Sequence, residues 1–183
     1  MEFIPIFANK YDDDQCKIWC VKYPGMDFHE VRRLMNLWKD QNWLSEHFTS
    51  QNRLLNSIYG GLDKVSAMAT VTRERLDIFS RLVFAEDQAQ VGNFMPLNNL
   101  FEALSDGEKS DSIGRKRVKA KSNYKPKLVR FYGVSLEENQ ILLCGGGIKL
   151  VEKMQDCPFL TEELKKLNSL KQYVKNHQIH FLG

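Results

Sequence analysis

The chain has 183 residues, 43% of them hydrophobic and 27% charged, with a formal net charge of +3. That length fits one domain with a real apolar core. No apolar run approaches the roughly 20 residues that span a bilayer, which argues against a membrane protein. The small net charge hides an asymmetry: residues 1–108 sum to −5 and residues 109–183 to +8. The second half would attract a polyanion and the first would not.

Met1 to Phe7 is β-rich, lacks a basic n-region and is too short for a signal peptide, so it reads as a strand. A turn at Asp12-Asp13-Asp14-Gln15 leads to a second strand, Lys17 to Tyr23. There Ile18, Cys20 and Lys22 share one face and Trp19, Val21 and Tyr23 the other. The two form a hairpin, closed by Pro24-Gly25. Cys16 and Cys20 would lie on one strand face about 13 Å apart, too far for a disulfide or a shared metal. With Cys144 and Cys157 isolated as well, the thiols read as structural and reduced, no cofactor is expected, and the setting reads as cytoplasmic.

Asp27, with Glu30 three residues on, marks a helix start, and Val31, Leu34, Met35 and Trp38 follow at helical spacing. A second helix begins near Asn42, buries Leu44, Phe48, Leu55, Ile58 and Tyr59, and stops at Gly60-Gly61. A third runs from about Leu62 to Phe84. Its Arg73, Arg75 and Arg81, offset by Glu74 and Asp77, read as a solvated face. Phe94 to Leu97 is a short apolar anchor, and Ser105 to Ser112 a polar loop.

From Lys109 to Arg130 stand nine cations, Lys109, Arg115, Lys116, Arg117, Lys119, Lys121, Lys125, Lys127 and Arg130, opposed only by Asp111. Such a run is the footprint of a nucleic-acid-binding segment, or else a solvated loop. As a footprint it would be mobile until a polyanion or an acidic segment orders it, and its binding would fall steeply with salt. Leu128 to Leu136 and Gln140 to Val151 then read as paired strands around Glu137-Glu138-Asn139. The triple glycine, Gly145 to Gly147, lacks phosphate-loop spacing and marks a bulge or a close backbone approach. A last helix starts near Pro158 and Thr161 with Leu164, Leu167, Leu170 and Val174 as its buried stripe. His177 and His180 read as surface residues. The order ββ–ααα–(basic strand or loop)–ββ–α predicts an α+β domain, with helices on one face of a small antiparallel sheet.

The segments Lys127 to Val134, Gln140 to Lys149 and Lys153 to Gln155, closed by a lysine-rich helix, resemble the RelE/HigB-like toxins of bacterial type II toxin–antitoxin systems. Arg130 and Tyr132 match the family's basic and aromatic strand residues. Lys149 matches the first of its paired lysines, and Lys153 a later one. The second lysine of the pair is Leu150 in this chain. The likeness covers roughly residues 127–178.

The resemblance implies a RelE/ParE-like fold and ribosome-dependent mRNA cleavage without a metal, held in check by a cognate antitoxin. It assigns phosphate neutralisation to Arg130 and proton transfer to Lys149 and Tyr132, whose pKa values neighbouring cations would lower. RNA or ribosome contacts fall to Arg115, Lys116, Arg117, Lys119, Lys121, Lys125, Lys127 and Lys153. A ParE-like gyrase inhibitor and a non-catalytic binding relative of the fold are the competing readings, and Leu150 favours the second of them.

Overall fold

The computed structural model describes residues 1–8, 10–12, 15–58, 61–110, 114–137, 139–177 and 179. Asp13, Asp14, Tyr59, Gly60, Asp111, Ser112, Glu138 and His180, to which the sequence assigns turns, a helix face, a break, a loop and a surface position, lie outside them.

The strands are β1 (Glu2–Pro5), β2 (Ile18–Lys22), β3 (Phe101–Ala103), β4 (Lys116–Lys121), β5 (Val129–Ser135) and β6 (Ile141–Ile148). They form one sheet in the order β1-β2-β6-β5-β4-β3. The N-terminal hairpin is present, with Phe3 opposite Val21. So is the antiparallel β5–β6 pair, with Val129 opposite Ile148. The sheet is nevertheless mixed rather than antiparallel, because β2 lies parallel to β6 through Ile18 to Cys20 against Ile141 to Leu143.

Helices cover both faces of the sheet, not one. On one side pack α1 (Glu30–Leu37), α2 (Gln41–Ser50) and α4 (Lys64–Gln90), against Ile18, Cys20, Phe131 and Leu143. On the other lies α6 (Pro158–His177), its Leu160, Leu167, Leu170 and Val174 against Trp19, Val21, Val134 and Leu142. β6 is buried on both faces over nearly its whole length, as the unbroken run Ile141 to Cys144 requires. The chain is thus α+β, with both the acidic and the basic half contributing strands to one sheet.

Several boundaries differ from the sequence reading. His29, not Asp27, caps α1 by accepting the Arg32 N–H at 3.3 Å. Asp40 caps α2 through the N–H groups of Asn42 and Trp43. The second predicted helix is interrupted at Gln51, after which α3 runs Asn52–Ile58. The Phe94 to Leu97 anchor extends into α5 (Met95–Leu100), which leads into β3. Cys16 precedes β2 and lies on the α6 side of the sheet, opposite Cys20. All four cysteines are buried free thiols.

The α4 residues Glu74 and Glu86 are fully buried, so Glu74 is not part of a solvated face. Glu74 accepts the N–H groups of Lys127 at 2.7 Å and Val129 at 2.8 Å. Glu86 accepts those of Lys17 at 2.8 Å and Ile18 at 2.9 Å. Each carboxylate closes the start of a strand where ladder partners end. Burial pushes the Glu74 carboxyl above its ordinary range, and the two amides pull against that shift. Arg73, which stays exposed, and the partly buried Arg81 donate to the carbonyls of Lys125 and Lys121. Glu74→Ala would strand two N–H groups at the start of β5. A loss of about 3 kcal/mol in urea unfolding is expected. A change below about 0.5 kcal/mol would show that these bonds contribute nothing net.

Candidate functional site

The basic run is not a free arm: Lys116–Lys121 is a strand held between β3 and β5. Strand alternation divides its cations. Val118 and Ala120 face the α4 side core, which sends Arg117, Lys119 and Lys121 to the α6 face. On that face Lys119 stands opposite Tyr132, and Lys121 opposite Arg130. The chain leaving β6 adds Lys149 and Lys153. These seven residues line one cavity of about 300 Å³, bounded by Leu104 and Leu164 and bearing one carboxylate, Glu152, on its wall. The three residues assigned to chemistry and four of the eight assigned to RNA contact are thus brought together.

Lys116, Lys125 and Lys127 do not line this cavity. Lys127 has a positive φ of 68° and gives its N–H to Glu74, so its backbone has a structural task. Arg115 is fully buried and donates to the Val174 carbonyl at 2.8 Å, tying the start of β4 to α6. It is withdrawn from any RNA contact. Leu150 points into the core, 2% exposed, where the family pattern has a lysine.

The cations differ in how far they are already neutralised. Arg117 is gripped by Glu108 through its Nε and Nη2, at 3.0 and 2.6 Å, and donates to Asn168. Lys171 joins Glu108 at 3.0 Å. Burial alone would raise the Glu108 carboxyl, but these partners hold it at about 2. Lys121 pairs with Glu102 at 2.7 Å. Both residues are therefore poor phosphate ligands, and the sequence reading missed Glu108, which lies in the predicted loop.

Lys149 is different. Burial, then Arg130 and Lys119, lower its pKa below the ordinary lysine range. That is the direction clustered cations produce. Lys119, which donates to the Leu104 carbonyl at 2.8 Å, is lowered chiefly by burial. Tyr132 goes the other way. It is 1% exposed, and burial raises its phenol well above the ordinary tyrosine range, although Arg130 opposes the shift. Its hydroxyl is sealed from solvent with no hydrogen-bond partner among the described residues. Tyr132 is therefore a protonated donor at neutral pH, not a base, which corrects the expectation that cations would lower it.

Among the described residues no cluster of His, Cys, Asp or Glu could hold a metal ion, and no helix is long and apolar enough to cross a membrane. Compared with protein-family models, curated proteins and solved structures, the chain matches none.

Proposed function

We propose that this protein is the toxin of a type II toxin–antitoxin pair, a RelE/HigB-like endoribonuclease that cuts mRNA on the ribosome. The observation that supports this most is the convergence of Arg130 and Tyr132 from β5 with Lys149, one residue past β6, on one basic cavity. In the proposed reaction the ribose 2′-oxygen attacks the adjacent phosphorus and the bond to the 5′-oxygen breaks. A cyclic phosphate and a 5′-hydroxyl result. Lys149, with its lowered pKa, accepts the 2′ proton in its neutral form. The Tyr132 hydroxyl is sealed from solvent, so the leaving 5′-oxygen takes its proton from the Lys149 ammonium formed in that step. Arg130 neutralises charge on the phosphorane oxygens, a task that suits a guanidinium. Lys119 and Lys153 hold flanking phosphates, and an acidic antitoxin segment would cover the same cations.

The pairing of Arg117 and Lys121 with carboxylates, together with Leu150, favours a second reading: a relative of the fold that binds nucleic acid or a partner protein without cleaving. Induced expression in a bacterial host separates the two. The expected result is growth arrest, with transcripts cut inside translated frames by primer extension. Arg130→Ala and Lys149→Ala should each slow cleavage by about 10²-fold or more with unchanged melting temperature. Arrest that persists in both variants would overturn the site, and intact transcripts would favour the binding reading.

A further inference from the structure

A second cavity, of about 510 Å³, opens beside the C-terminal end of β6. Its origin lies in the topology. β2 accompanies β6 only as far as Leu143, then leaves for α1, so the later residues of β6 run on past their neighbour. Lys149 donates its N–H to the Leu128 carbonyl on the β5 side. By alternation the N–H groups of Gly146 and Ile148 point to the edge that β2 vacates. Glu163 takes the first at 3.0 Å. Gly146, Gly147 and Ile148 line the cavity from the β6 side. A Cβ on Gly147 would come within 2.8 Å of Leu160 Cδ2.

The other walls carry four rings, Trp38 just past α1, Trp43 and His47 from α2, and Phe159 from α6, among aliphatic and charged side chains. Trp43 and His47 are stacked, with centroids 4.9 Å apart and planes at 18°. His47 Nε2 is sealed from solvent and has no hydrogen-bond partner among the described residues. Burial lowers the His47 pKa, so the ring is neutral at pH 7 and extends the Trp43 stack without adding charge. The formal charges on the lining cancel, Arg33 and Lys166 against Glu162 and Glu163. A cavity of this volume, aromatic and without net charge, suits a flat uncharged ring with a polar edge. It does not suit a phosphate or an ammonium group.

The basic cavity shares no lining residue with it, but the two meet along the chain at the end of β6, where successive side chains alternate between the faces. Ile148 lines the aromatic cavity and Lys149, the next residue, lines the basic one. We propose that the aromatic cavity accepts one unpaired nucleobase of a single strand whose phosphates lie on the basic cavity. This rests on the nucleic-acid reading above. A splayed base beside an anchored backbone is how single-stranded RNA presents a ring to aromatic side chains.

The test uses the full chain and three kinds of probe: the four free nucleosides, a 2′-O-methyl RNA hexamer that cannot be cleaved, and its abasic counterpart. At least one nucleoside should quench tryptophan fluorescence saturably. The hexamer should bind about tenfold tighter than the abasic strand, as one stacked base provides. Trp43→Leu and His47→Ala should remove that advantage without changing abasic binding. Because the comparison of the two strands is made on the unmodified protein, it holds whether or not a variant folds. Hexamer and abasic strand binding alike, with no nucleoside response, would overturn the base pocket while the nucleic-acid reading stands. Nucleoside binding with no oligomer binding would support the pocket and overturn that reading. No binding of any probe would overturn both.

Discussion

Gly146→Ala is expected to cost about 3 kcal/mol in urea unfolding, among the largest effects of any single methyl group in this chain. Gly146 sits in β6 opposite Phe131. An added Cβ would overlap the Arg130 carbonyl oxygen and press on Leu34 Cδ1 at 3.1 Å and Phe131 Cδ1 at 3.2 Å. A flexible side chain could move aside, but a carbonyl paired inside the sheet cannot do so without opening the β5–β6 ladder. Gly107→Ala is the matched control. It lies on an exposed loop, and a Cβ there would meet nothing within 4 Å. Equal stability of the two variants would show that the strands yield far more easily than their packing indicates. The same ladder carries Arg130 and, one residue past β6, Lys149, so a Gly146 variant that does fold should also disturb the basic cavity.

The second large effect concerns charge. Lys166 of α6 bridges two shielded carboxylates, Glu30 at 3.0 Å and Glu163 at 2.7 Å, whose side chains are only 4% and 12% exposed. Arg33 meets Glu30 from the other side at 2.5 Å. Burial disfavours the Lys166 ammonium, but Glu163 and Glu30 outweigh it and raise its pKa. Burial raises the Glu163 carboxyl, and Lys166 restrains that rise. Lys166→Met removes the restraint. The loss at pH 7 should be about 2–3 kcal/mol, below the full value for breaking a buried pair because Arg33 still compensates Glu30 and Lys166 is partly exposed. Glu163 would then titrate still higher in the folded state than in the unfolded chain. A group raised in this way stabilises the fold when protonated, and that contribution disappears as pH rises through its folded pKa. The deficit of Lys166→Met should therefore shrink as pH falls from 7 towards 5, measured as the difference in unfolding free energy from the unmodified protein. A deficit that is constant or grows over that interval would place the cost elsewhere than on Glu163.

The triple glycine shows how far local sequence reaches. A bulge or close backbone approach is legible from Gly145 to Gly147, and both occur. The β5–β6 register shifts at Tyr132 and Gly133, passing over Cys144. Glu163, the Arg130 carbonyl and Leu160 each press on one of the three glycines. Which group presses where is set by residues 13 to 18 positions away. The lysine-rich strand has the same character. Its alternation, Arg117-Val118-Lys119-Ala120-Lys121, was available as a signal that three cations share a face with Arg130. Length and charge alone made the segment look like an arm.

By itself the sequence determined the N-terminal hairpin, the β5–β6 pair, the closing helix and the concentration of cations in the second half. Each follows from periodicity, turn residues or composition within about 20 positions. The tertiary structure decided the rest. It set the parallel join of β2 to β6, the burial of Glu74, Glu86 and Arg115, and the capture of Arg117 by Glu108. It also separated the rising Tyr132 pKa from the falling one of Lys149. Those outcomes depend on which distant groups a side chain meets and how much water they exclude. For an ionisable residue, these factors decide whether it closes a strand, neutralises a neighbour or faces a cavity.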